Sequence, residues 1–158
     1  MPGPRATPCD MRTCVQILAS ILLAAPACGP ALAQTHWLTI VGDMTDPAVD
    51  TVEVSPDSVV GLDELRVMKI RTNRKQERIT YDHKPYRSYF GSIQIDCVRK
   101  EARFRQIRYF LGPMWTGAAR DVEYPEAAMP PVALRDFQPN PVQRIVQAAC
   151  NISSVRSR

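Results

Sequence analysis

Two histidines, His36 and His83, are the only side chains here whose ordinary titration falls near neutral pH. Neither lies at a nucleophile or metal-ligand spacing, and His83 sits in the charged stretch Tyr81-Asp82-His83-Lys84. There is no Cys-x-x-Cys pair and no glycine-rich phosphate loop, which removes the common redox, zinc and nucleotide motifs. Asp96 beside Cys97 is an outward strand residue and activates no thiol. No apolar run is long enough for a membrane span. An enzyme is therefore not expected, nor is a cofactor.

The first 33 residues read as a secretory leader. From Met11 and Arg12 the chain enters the apolar run Val15–Ala25, then Pro26, Gly29 and Pro30, and reaches the small-x-small site Ala31-Leu32-Ala33 before Gln34. Met11 is a better start than Met1, because residues 1–10 carry Pro2, Pro4, Pro8 and Asp10. The alternative processing is lipidation at Cys28, where Ala25-Pro26-Ala27 is a poor match to the usual lipoprotein pattern. Cleavage after Ala33 removes Cys9, Cys14 and Cys28 and leaves Cys97 and Cys150. In an oxidising compartment those two are expected to pair.

Residues 34–158 have a length that fits one domain. Their charge is unevenly placed. Seven acids (Asp43, Asp46, Asp50, Glu53, Asp57, Asp63, Glu64) and no Lys or Arg lie between Gln34 and Leu65. Thirteen bases and four acids, Glu77, Asp82, Asp96 and Glu101, lie between Arg66 and Arg108. Such a split can steer an acidic partner to one face, or the two halves can neutralise each other across the fold.

The pattern is mostly strand-like. Trp37–Val41 stops at Gly42-Asp43, and Thr51–Val54 alternates before Ser55-Pro56-Asp57, which reads as a turn or short helical cap. Leu65–Thr72 reads as a strand of ambiguous facing, and Asn73–Pro85 as an exposed, charged loop with strand ends. Tyr86–Cys97 is the clearest strand, with Tyr89, Gly91, Ile93, Ile95 and Cys97 on the core side. After the turn at Val98–Glu101, Ala102–Leu111 follows as a strand. Strict alternation there puts Arg103, Arg105, Ile107 and Tyr109 on one side, and Ala102, Phe104, Gln106, Arg108 and Phe110 on the other. Gly112-Pro113 breaks it. Four prolines and Gly117 between Trp115 and Asn140 predict an irregular connection. Asn140 and Pro141 then open a helix with Val142, Ile145, Val146 and Ala149 on one stripe. A bond from Cys97 to Cys150 would lay that helix across the Ile93/Ile95 face.

The order of Trp37, an acidic turn, Leu65–Ile70, Tyr86-Arg87-Ser88, Asp96-Cys97, Arg103–Tyr109, Gly112 and Pro139–Cys150 resembles the surface-adhesin protein E family of Gram-negative bacteria. The resemblance implies an α+β fold: a small twisted antiparallel sheet with a C-terminal helix packed on one face and tied by a disulfide. It implies a cell-envelope role in the periplasm or at the outer-membrane surface, since the family's namesake is an adhesin for host cells and matrix proteins. Two departures stand out: Gly112-Pro113-Met114-Trp115 replaces a glycine-rich turn, and Phe137 stands where tryptophan is often found. The expected partner is an extracellular protein or a polyanion, met by a basic face of Arg71, Arg74, Lys75, Arg78, Lys84, Arg87, Arg103 and Arg105. Export argues against nucleic acid, and a homodimer is open. The alternative is a periplasmic accessory protein or enzyme inhibitor without adhesin activity.

Overall fold

A computed structural model describes residues 35–61 and 64–152. The leader, with Ala33 and Cys28, lies outside the described residues. Six strands form one sheet in chain order, every neighbour antiparallel: β1 (Leu38–Val41), β2 (Thr51–Val60), β3 (Leu65–Ile79), β4 (Pro85–Asp96), β5 (Glu101–Phe110) and β6 (Ala119–Glu123). Among the described residues one α-helix, α1 (Val142–Cys150), packs on one face of the sheet. The fold class expected from the sequence holds.

Strand parity builds the core face. Met68 and Ile70 of β3 pair with Ile93 and Gly91 of β4, and Val54 of β2 stands opposite Ile70. Ile145, Val146 and Ala149 of α1 bury themselves against this face together with Phe137, Leu134 and Val132. Burying each large aliphatic side chain contributes about 1.5–3 kcal/mol relative to leaving it in water. The N-terminus of α1 is capped as expected, the Val142 N–H donating to Asn140 Oδ1 at 3.0 Å.

The Cys97–Cys150 disulfide is present and joins the end of β4 to the end of α1. Two arginines reinforce it. Arg66 donates to the carbonyls of Ala149 and Ile152 at 2.6 Å each, placing a cation where the helix leaves its last carbonyls unpaired. Arg144 donates to the Ile40 carbonyl at 2.6 Å and ties the helix to β1.

Four sequence expectations are corrected. Asn73–Pro85 is not a loop: β3 continues to Ile79, and the turn is confined to residues 80–84. The segment lacked an apolar alternation because the residues buried there, Asn73 under the flanking loops of the open face and Arg74 against Phe137 on the helix side, are polar and hold partners. Ser55-Pro56-Asp57 is not a turn either. β2 runs through it with a register shift, so that Pro56 occupies a site needing no ladder N–H. There Ser58 Oγ accepts the Lys69 N–H at 2.9 Å and donates to the Ser55 carbonyl at 2.6 Å, replacing ladder bonds.

In β5 the alternation reverses. Ser92 pairs with Gln106 but Ile93 pairs with Phe104, so Arg105 is an extra residue in a bulge. Ala102 and Phe104 therefore turn inward together with Ile107 and Tyr109, which strict alternation forbids. Finally, the stretch after Trp115 is not wholly irregular, because Ala119–Glu123 forms the edge strand β6.

Candidate functional site

The face of the sheet opposite α1 carries the side chains of the other parity. Two neighbouring cross-strand rows dominate its middle. One runs Ser55, Lys69, Ser92, Gln106, Glu123; the next runs Glu53, Arg71, Phe90, Arg108, Asp121. A groove of about 320 Å³ lies over them, lined by Lys69, Phe90, Ser92, Gln106, Arg108 and Asp121.

Arg71 is the centre of an aromatic stack on this face. Its guanidinium lies 4.2 Å from the centre of the Trp37 ring and 4.5 Å from that of Trp115. A cation against a ring face is attracted by the ring quadrupole, and here two rings lie within 4.5 Å of it. Its Nε pairs with Glu53, which also accepts the Thr39 hydroxyl at 2.9 Å. Trp37 in turn meets Phe90 edge-on at 5.8 Å between ring centres.

The loop that delivers Trp115 is strained and held from below. Met114 and Trp115 have φ of 51° and 59°, a left-handed conformation uncommon for such side chains. The Met114 N–H donates to Asn73 Oδ1 at 2.9 Å and the Trp115 N–H to Ser88 Oγ at 2.9 Å. The Trp115 indole N–H donates to the Tyr89 carbonyl at 3.1 Å. Asn73 also donates to the carbonyls of Pro47 and Val49 at 3.1 and 3.0 Å, so one buried amide joins both flanking loops to β3. Gly112 closes the loop with its N–H on the Thr116 carbonyl, and a Cβ there would lie 2.3 Å from the Thr116 hydroxyl.

The eight basic residues singled out from the sequence do not form one patch. Arg71 is held in its stack. Arg74 is 2% exposed, paired with Asp136 and, at 3.2 Å, with Asp50, its guanidinium 4.2 Å above the Phe137 ring. Arg78 lies 3.6 Å from Asp136. Arg87 donates to the carbonyls of Arg74 and Lys75 at 3.0 and 2.8 Å, satisfying backbone freed by the bulge in β3. Lys75 and Lys84 are exposed near the β3–β4 turn, with no ion pair among the described residues.

Arg103 and Arg105 lie toward the other end of the sheet. Arg103 pairs across to Gln94 and thence to Val67, six residues along β3 from Asn73, about 20 Å at ~3.3 Å per residue. Arg103 also reaches the Met129 carbonyl at 3.2 Å and Glu101 at 3.5 Å. His83 sits exposed in the β3–β4 turn at φ 58°.

Sequence reasoning missed Lys69, Phe90, Arg108 and the partnership of Trp37 with Trp115. The available signal was the period-two run Lys69, Arg71, Asn73, which shares parity with Ser88, Phe90, Ser92 once the pairing is known. Among the described residues no cluster of His, Cys, Asp and Glu could hold a metal ion, and no helix is long and apolar enough to cross a membrane.

No curated protein and no solved structure matches the chain. The sequence profile of the surface-adhesin protein E family matches residues 37–151, from the tryptophan of the Arg71 stack to the end of the disulfide-tied helix. The chain belongs to the surface-adhesin protein E family.

Proposed function

We propose that this chain is an exported cell-envelope protein that binds a host or matrix protein, or a polyanion, as a non-enzymatic module. The observation that carries the reading is the family match over residues 37–151. The leader pattern ending at Ala31-Leu32-Ala33 supports export, with Gln34 as the mature N-terminus. Of the basic residues first singled out, the end of the sheet near the β3–β4 turn offers Lys75 and Lys84 as exposed cations for long-range attraction of an acidic partner.

Three measurements test this. Intact-mass analysis of the exported protein is expected to show Gln34 as the first residue; an acylated Cys28 would replace cleavage with lipid anchoring. Protease shaving of intact cells is expected to remove the protein, and survival would place it inside the envelope. Binding to immobilised heparin and matrix proteins is expected to fall as salt passes physiological strength, where the Debye length is about 8 Å. Changing Lys75 and Lys84 to Ser is expected to weaken it. Arg74 is left untouched in this test because its burial makes its loss a folding defect.

A further inference from the structure

We propose that the open face of the sheet carries a saccharide site for a sugar unit bearing a single carboxylate, seated on Phe90 and held by Lys69, Ser92 and Gln106. The inference rests on the envelope-binding reading and narrows it to a ligand class and a place.

The groove joins two kinds of surface at the spacing of the ladder. Phe90 is 37% exposed, an aromatic ring left open to solvent on a polar face. Its edge contact with Trp37 fixes it as a platform. An aromatic face is electron-rich and attracts the polarised C–H groups that a sugar ring presents on its flatter side. In the adjoining row, Lys69, Ser92 and Gln106 stand side by side on three strands about 4.8 Å apart, close to the breadth of such a ring. Among the described residues the Ser92 hydroxyl and the Gln106 amide make no side-chain hydrogen bond within the protein. Both can donate and accept, as neighbouring sugar hydroxyls require.

Charge selects among sugars. Arg71 is matched by Glu53, and Arg108 by Asp121 through two bonds of 2.9 and 2.8 Å. Lys69 borders the groove with no ion pair among the described residues. One unmatched cation calls for one anionic group on the ligand. Glu123, opposite Gln106 at the β6 end of the row and about 14 Å from Lys69 at ~4.8 Å per strand, repels a second. A carboxylated sugar meets both conditions; a densely sulfated chain does not. The bulge at Arg105 lies beside this row, a common device for re-aiming side chains next to a binding site.

The test titrates the purified mature protein with sialyllactose, with a glucuronic-acid disaccharide and with neutral lactose, read by backbone amide shifts and tryptophan fluorescence. The acidic sugars are expected to shift the amides of Phe90, Ser92 and Gln106 and to change Trp37 emission, with lactose about tenfold weaker. Lys69→Gln is expected to erase that preference at the parent's thermal midpoint, since its side chain is exposed, and Phe90→Leu to weaken all three ligands with only a modest drop in midpoint from the lost contact with Trp37. Absence of shifts at millimolar sugar, or shifts confined to Lys75 and Lys84, overturns the proposal. Heparin or matrix binding that survives Lys69→Gln while the groove takes no sugar leaves the envelope-binding reading standing and removes only this site. Sugar binding in the groove of a protein inaccessible to shaving removes the surface reading and keeps the site.

Discussion

Asn73 on β3 accepts the backbone N–H of Met114, forty-one residues away, at 2.9 Å. That bond, with the one from Trp115 to Ser88, fixes two consecutive residues in a left-handed conformation and so places Trp115 against Arg71. Asn73→Ala removes a completely buried amide that serves three backbone groups. The expected loss is about 2–3 kcal/mol, from the desolvated groups left unpaired. Urea denaturation measures it, and tryptophan emission should shift toward solvent-exposed wavelengths before global unfolding. Unchanged emission would mean that the loop holds its shape without Asn73.

The disulfide closes a loop of 53 residues between β4 and α1. Chain entropy gives a contribution of about 4 kcal/mol for a loop of that size, in a model whose mechanism is debated. Cys150→Ser is expected to lower the thermal midpoint strongly while Arg66 and Arg144 retain part of the helix docking. Non-reducing peptide mapping should recover Cys97 and Cys150 in one linked species. Free thiols at both positions in the purified protein would contradict the bond.

Arg74 is a buried cation whose counter-charges are Asp50 and Asp136. Changing both acids to Asn leaves the charge unmatched beside Phe137, at an expected cost of about 3–5 kcal/mol. Arg74→Met keeps much of the volume and removes the charge, so it is expected to cost less than the double variant. Equal or reversed urea midpoints would show that the pair contributes packing rather than charge compensation.

Burial raises the pKa of Tyr89, and Tyr109 is raised by burial and then by the neighbouring Tyr124 hydroxyl. Tyr86, in contact with both rings, is raised by burial as well. The folded state therefore holds protons that the unfolded chain releases near its ordinary value of 10.0. Stability from these groups is fully present below that pH and falls as pH rises through and above it. Tyrosinate absorbance from the Tyr86, Tyr89 and Tyr109 cluster should appear together with unfolding. A single early rise covering all tyrosines would contradict the burial of the cluster.

The apolar stripe of the helix and the inward face of Tyr86–Cys97 were legible because each follows a local period, the cap because Asn140 precedes it, and the paired cysteines because only two follow the leader pattern. Apolar residues at a helical or strand repeat need no partner to be recognised. The continuation of β3 past Asn73 was not legible, since its buried residues, Asn73 and Arg74, are polar and are stabilised by hydrogen bonds and ion pairs from distant segments. Nor was the reversal in β5, because a bulge is a property of the pairing between Ser92 and Gln106 and leaves no mark on one strand alone.

Charge followed the same division. The sequence by itself determined that acids precede bases along the chain, and that seemingly free arginines are abundant. Only the tertiary structure decided which of them reach solvent. Antiparallel pairing sets Glu53 against Arg71, and Asp50 and Asp136 close on Arg74, so much of the basic excess is matched within the fold. Lys69 remains on the open face because its parity, fixed by pairing with Ser92, turns it away from the helix and toward the groove beside Phe90.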